Sequence, residues 1–503
     1  MSLVPLHWAD DRLVPEVDLP YEPVNHNTEV TILHTNDFHS CIDSFPDGSG
    51  GIARIATTIR RAQSSAPVIV VDAGDSVFGS PTVWSTQGAG PTARLRGMAG
   101  YQLAALGNHD LEHGAEGVRE LLDGGYRLVA NNIEFDDPDL QTQIAPAYMT
   151  SVDGIRIGFT GVTTPDTVGL VPKRVLAGVR FVDDAVKSTQ RTVRALEPHV
   201  DVVIVLSHLG FDPGELMELM PAGQTPKMML ENDRRLVAQL KGTKVAAILG
   251  GHTHDALAPT PVLAGIAVCN AGAYGRKVGE MKLGLSADGV VEVRHALIDQ
   301  DVSVAEDATL VEAREREREL FAASMEQSVL LPASAVPVPE LTAKQRQDSL
   351  LARALQASAD VTDSSIMFIP QLYLLGELPE SERLRLVDVR VAYPNAEKLV
   401  EITLDGADLT RLLQLQEQLM FFEAATPVRL ANQQPVSVAD IDADAIYAII
   451  TSELEAEGGL GWTVFPAAAK SIRALDITCA EVVWSYLLSS ASSAPAAVGA
   501  GVA

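Results

Sequence analysis

Sulfur and positive charge are both scarce in this chain. Only three of its 503 residues are cysteine, Cys41, Cys269 and Cys479, far apart and with no CxxC pair. That excludes a disulfide framework and a thiolate zinc cluster, and leaves the three thiols as small apolar fillers. Lysine and arginine number 38 against 66 aspartates and glutamates, a formal net charge of -28. Such a field repels phosphate backbones and anionic membrane surfaces at long range, so no nucleic-acid polymer is expected as a partner. It also works against any small anionic substrate, which would need a local cationic centre; a metal site supplies one. No apolar run approaches the roughly 20 residues of a membrane helix, and no membrane association is expected. The opening MSLVPLHWADDRLVPEVDLPYE has acids and prolines where a secretory leader has a basic start and an apolar core. As written, the chain is expected in the cytoplasm.

What is present is a folded composition, 47% hydrophobic and 21% charged, in a chain of 53.6 kDa, more than one core normally organises. Residues 1 to about 27 read as an irregular, proline-containing lead-in. From Glu29 short β-branched runs alternate with helical periodicity, which predicts an α/β domain over 28–300. Helices are expected at Gly51–Ala62, Gly114–Leu122, Asp184–Leu196 and Asn232–Leu240. The charge-alternating segment Glu306–Ser324 predicts a linker helix within 301–330. A smaller α/β domain follows over 331–489, with strands near Lys398–Leu404 and Tyr447–Thr451 and a helix near Leu409–Leu419.

Five apolar runs each end in a cluster of polar ligands. They lead into Thr35-Asn36-Asp37-Phe38-His39, Asp72-Ala73-Gly74-Asp75, Gly107-Asn108-His109-Asp110, Ser207-His208 and Gly250-Gly251-His252-Thr253-His254. Each alone has a mundane loop or core reading. Together they gather Asp, Asn and His at the carboxyl ends of strands, where α/β sheets place their sites. Two-residue spacing in an extended chain would put Asp37 with His39, and His252 with His254, on one face. Imidazole with oxygen ligands and no sulfur suits zinc, manganese or iron. Seven ligands are too many for one tetrahedral structural zinc, and suit two ions bridged by a carboxylate with room for water.

The strings TILHTNDFHS, VVDAGDSVFGS, ALGNHDLEHG, VIVLSHLG and AILGGHTHD, in this order, resemble the calcineurin-like metallophosphoesterases. Within them they are most similar to the 5'-nucleotidase and 2',3'-cyclic-nucleotide phosphodiesterase family. The resemblance covers about residues 29 to 285. It implies a β-sandwich core flanked by helices, followed by a smaller α/β nucleotidase-like domain. It implies two divalent ions, zinc or manganese, one held by Asp37, His39, Asp75 and His254 and the other by Asp75, Asn108, His208 and His252. His109 takes the place of the family's catalytic histidine, with Glu112 as its acidic partner and Asp110 as a less favoured one; a solvated helix-start carboxylate is the bland alternative for Glu112. The implied activity is hydrolysis of phosphate esters, nucleotides first, by in-line attack of a metal-bound hydroxide; relatives are often exported.

The second domain is less similar. Phe368-Ile369-Pro370-Gln371-Leu372-Tyr373 replaces the family's arginine-bearing loop, and Leu399 and Leu454 fall where two aromatics clamp a nucleobase. Phe422 and Trp462 remain as candidate substrate contacts. Alternatives are a phosphodiesterase or pyrophosphatase on cyclic nucleotides, sugar nucleotides or a non-nucleotide ester, and a non-catalytic binding protein on the same fold. The sequence specifies no oligomeric state.

Overall fold

The computed structural model describes residues 2–19, 28–182, 184–211, 232–285, 291–325 and 327–330. Further on it describes 350–351, 354, 366–368, 376, 378–379, 383–394, 397–418, 429–430, 439, 441–459 and 464–493. The chain divides into two compact units, Met1–Ser80 with Gln87–Arg318, and Pro81–Thr86 with Glu319–Ala503.

Two sheets share the core of the first unit. In one, Ile155–Thr163, Val202–His208, Val245–Gly250 and Ile266–Asn270 run parallel, with Ala147–Val152 antiparallel at their side. In the other, Thr28–Thr35, Val68–Asp72, Leu103–Ala105, Arg127–Val129 and Ile144–Ala145 run parallel, and Lys277–Leu285 and Val291–Asp299 extend the sheet antiparallel. Phe159, Ile204 and Leu249 of the first sheet join Ile32, Val71 and Leu103 of the second in one buried cluster, so the two pack as a sandwich. Helices Ala185–Leu196 and Asp233–Leu240 close the outer face of the first sheet, burying Val193, Leu196, Leu236 and Leu240 with Val203 and Ile248. Helices Ile52–Gln63, Gly90–Ala99 and Gly114–Leu122 connect successive strands of the second sheet. Their buried residues recur at helical spacing, as do Ile52, Ile55, Ala56 and Ile59 along the first of them.

The N-terminal expectation is corrected. Val4–Ala9 and Arg12–Pro15 form a hairpin whose first strand pairs with Ala147–Val152, so this segment extends the first sheet instead of leading into it. Val4, Leu6 and Leu13 are buried there, and Pro5 and Pro15 lie within the two strands. The charge-alternating segment is helical over Ala308–Met325, and Ser328–Leu330 is a strand paired with Arg383–Arg385.

In the second unit Leu399–Asp405 lies between Ile446–Ser452 and Ser471–Ala474, antiparallel to both. Helices Gly406–Gln418 and Cys479–Ser493 belong to the same unit. Leu399 and Leu454 are core residues, 0% and 3% exposed, and present no face to a ligand.

Candidate metal centre

The ends of five strands converge. Asp37 and His39 follow Thr28–Thr35, Asp75 follows Val68–Asp72, Asn108 and His109 follow Leu103–Ala105, His208 ends Val202–His208, and His252 and His254 follow Val245–Gly250. Three groups of ligand atoms lie within 4.8 Å of one another: Asp37 with His39 and His254, Asp75 with His208 and His252, and His39 with Asp75 and His109. Asn108 is buried beside them in sequence, and its Oδ1 has no hydrogen-bond partner.

The route by which the paired ligands meet differs from the expectation. Asp37, His39, Asp75, His252 and His254 all sit at positive φ, between 51° and 76°, so the DxH and HxH pairs converge through left-handed turns and not through an extended strand. Each such residue costs about 1 kcal/mol or more, and the surrounding bonds hold it there. The Asp37 N–H donates to Gly74 O at 2.9 Å and the His39 N–H to Asp75 O at 3.0 Å, which stitches the first two loops together. The His252 N–H donates to Asp37 Oδ1 at 2.9 Å, and the His109 N–H to Asp75 Oδ1 at 2.8 Å. Asn36 donates to Asp37 Oδ2 at 2.6 Å and to Asn270 Oδ1 at 2.8 Å, fixing the carboxylate plane.

The donor set fits cations. His39 Nδ1 faces Phe78 O at 3.0 Å and His208 Nδ1 faces Ala73 O at 2.8 Å; donation there leaves each Nε2 as the free ligand atom. His39 Nε2 and His254 Nε2 stand 3.0 Å apart, a spacing that two nitrogens about 2.1 Å from one ion would also adopt. His208 Nε2 lies 3.0 Å from Asp75 Oδ2 but without hydrogen-bond geometry, and it is buried. In the metal-free cluster, burial pushes Asp37 up to about 7 and holds His39 well below its ordinary value. Burial opposes charge on His208 too, yet Asp75 overrides it and raises that imidazole to about 10. These opposed shifts mark a cluster of buried carboxylates and imidazoles that cations would relieve.

His109 and Glu112 are half-buried and bonded through Nδ1 and Oε1, so Glu112 is more than a solvated carboxylate. Burial lowers the His109 pKa, but Asp75 and Glu112 together raise it to about 9. Asp110 has a different place. It is fully buried, and its carboxylate accepts four backbone N–H groups, from Asp75 and Gly107 on Oδ2 at 2.9 and 2.8 Å and from Ser76 and Val77 on Oδ1 at 2.9 and 3.2 Å. The sequence suggests Asp110 only as an acid; Gly74 within VVDAGDS, followed by the backbone N–H groups of Asp75, Ser76 and Val77, is the signal that a turn there needs an anchor. Phe422 and Trp462 lie outside the described residues.

Residues 30–256 match the model of the calcineurin-like phosphoesterase family. Two curated relatives, the 5'-nucleotidases of Rattus norvegicus and Mus musculus, are each 30% identical over 259 residues, covering 48% of this chain and 40% of their own length. The chain therefore spans less than half of those relatives. A solved structure, a 5'-nucleotidase precursor from Thermus thermophilus, superposes with a TM-score of 0.69 at 22% identity, covering 92% of this chain and 97% of that one. Its likeness extends through the fold of both units.

Proposed function

We propose that this chain, a calcineurin-like phosphoesterase through residues 30–256, hydrolyses phosphate monoesters of the nucleotide class with the help of two divalent ions. The observation that carries the reading is the pair of His/Asp groups, one around Asp37 and one around Asp75, beside the bonded His109 and Glu112. Asp37, His39, Asp75 and His254 would hold one ion, and Asp75, Asn108, His208 and His252 the other, with zinc or manganese suited to both sets. When bound, the ions neutralise phosphate oxygens and acidify water at neutral pH.

The protein's own groups do the rest. Glu112 accepts from His109 Nδ1–H, and against burial Asp75 and Glu112 together keep the imidazole protonated at neutral pH, so Nε2–H is also able to donate to the phosphoryl group. In the net reaction water adds to phosphorus, the P–O bond to the leaving group breaks, and the proton ends on the departing oxygen. Asp75 supports His109 from the other side, because its Oδ1 accepts the His109 N–H. Residues 331–489 are proposed to shape substrate choice.

A second reading has a specific observation behind it. The two positions aligned with the family's base clamp, Leu399 and Leu454, are core residues, which favours a diester, a sugar nucleotide or a non-nucleotide ester. Product analysis for the metal-loaded chain on nucleoside monophosphates, cyclic nucleotides, sugar nucleotides and sugar phosphates tests both, since a monoesterase releases phosphate whereas a diester or sugar nucleotide yields monophosphates, with elemental analysis for the ion. His109→Ala is expected to lower turnover by about 100-fold or more while metal content stays at the parent level. Parent-level turnover in that variant would remove the proposed chemistry.

A further inference from the structure

Tyr274 is left over by this account. It is half-buried beside the Asp37 group, with its ring centroid 5.5 Å from that of His39 and 5.2 Å from that of His254. Its backbone is at φ 61°, an uncommon conformation for an aromatic residue, and its N–H donates to Asp37 O at 2.7 Å. The following Gly275 is at φ 63°, and a Cβ there would stand 2.9 Å from the Phe38 ring, so the turn that presents Tyr274 is fixed on both sides.

A second ring backs the first. Phe45 lies 6.4 Å from Tyr274, edge to face, and the Arg276 guanidinium covers Phe45 at 4.1 Å. Arg276 is itself pinned by Asp47 Oδ2 at 2.9 Å and Ser49 Oγ. A strained turn, a rigid backing and a half-exposed ring against two of the imidazoles are more than packing of the core requires.

We propose that Tyr274 is a specificity residue of the first unit, the surface on which a planar, apolar leaving group lies while its phosphate occupies the His/Asp groups. The proposal rests on the phosphoesterase reading for the position of the phosphate. It places selection for aromatic leaving groups within the first unit, where the second unit's Leu399 and Leu454 offer none.

The test uses the full metal-loaded chain with phenylphosphonate and methylphosphonate, which bind without turning over. Calorimetry should find phenylphosphonate bound more tightly than methylphosphonate, and Tyr274→Leu should erase roughly tenfold of that preference, the scale of one aromatic contact. Tyr274→Phe should keep it, and metal content should be unchanged in both variants. Phenyl phosphate and glycerol 2-phosphate then give the same comparison in turnover. An unchanged preference in Tyr274→Leu overturns the proposal, as does an equal loss for both phosphonates together with lost metal, which would mark Tyr274 as a support for His39 and His254. If the phosphonates discriminate but neither ester is turned over, the phosphoesterase reading fails while the aromatic surface stands; if neither phosphonate binds, both fail.

Discussion

Replacing Asp110 by asparagine tests whether the loop carrying Asp75 is held by a buried anion. The carboxylate accepts four backbone N–H groups at 2.8 to 3.2 Å, two on each oxygen. Asparagine keeps one acceptor oxygen and turns an NH2 group toward the other pair, leaving two N–H groups facing a donor. A buried donor without a partner costs about 1–3 kcal/mol, so the variant should lose roughly 2–6 kcal/mol of local stability. Part of that is returned, since burial, followed by the charge of Asp75, already pushes Asp110 up to about 7. A net loss of about 3 kcal/mol is the expectation. Because the same bonds position Asp75, ion affinity should fall by about 10- to 100-fold, the usual effect of removing a partner behind the ligands. Thermal unfolding with and without metal, and competition against a chromogenic chelator, measure the two quantities. Parent-like melting together with parent-like affinity in Asp110→Asn would refute the reasoning.

Two further outcomes follow from other sites. Asp75→Asn should weaken both ions at once, since Asp75 joins two of the three ligand groups; two equivalents of tightly held metal by elemental analysis would count against a bridging carboxylate. The second concerns His34 and His295, whose Nε2 atoms meet at 3.0 Å away from the centre. Burial lowers His295 to about 4, and burial and then His295 hold His34 well below its ordinary value. The fold keeps both imidazoles neutral, whereas the unfolded chain takes up protons near pH 6.5. Their contribution is therefore present above that pH and lost as pH falls toward 4, at a cost on the order of 2 kcal/mol for His295. Metal-free His295→Phe should melt with a shallower dependence on pH between 6.5 and 4, and an unchanged slope would contradict this.

The convergence of the candidate side chains was legible because they follow apolar runs that read as buried strands. Val68–Asp72, Val202–His208 and Val245–Gly250 are buried along their whole length, so the polar residues after them had to lie at one edge of the sandwich. Ile155–Thr163 and Lys277–Leu285 were not legible, because glycines interrupt their apolar pattern. The structure supplies the reason: a Cβ on Gly158 would stand 2.6 Å from Leu196, one on Gly161 2.3 Å from Val129 O, and one on Gly279 2.0 Å from the His34 ring. These glycines make room for close neighbours that local sequence does not reveal.

The same limit explains the left-handed turns. Aspartate and histidine visit positive φ more readily than most residues, but nothing in Asp37-Phe38-His39 or His252-Thr253-His254 requires it, and glycine would adopt it at less cost. The conformation is imposed from a distance, by Gly74 O and Asp75 O on one loop and by the Asp37 carboxylate on another. Each loop is thus held by a bond to a loop from a different strand, and the ligands are placed only when the five strand ends are together. Residue type is local and readable; the geometry of the groups belongs to the assembled sandwich, where the side chains that two-residue spacing pairs meet through left-handed turns and not along an extended strand.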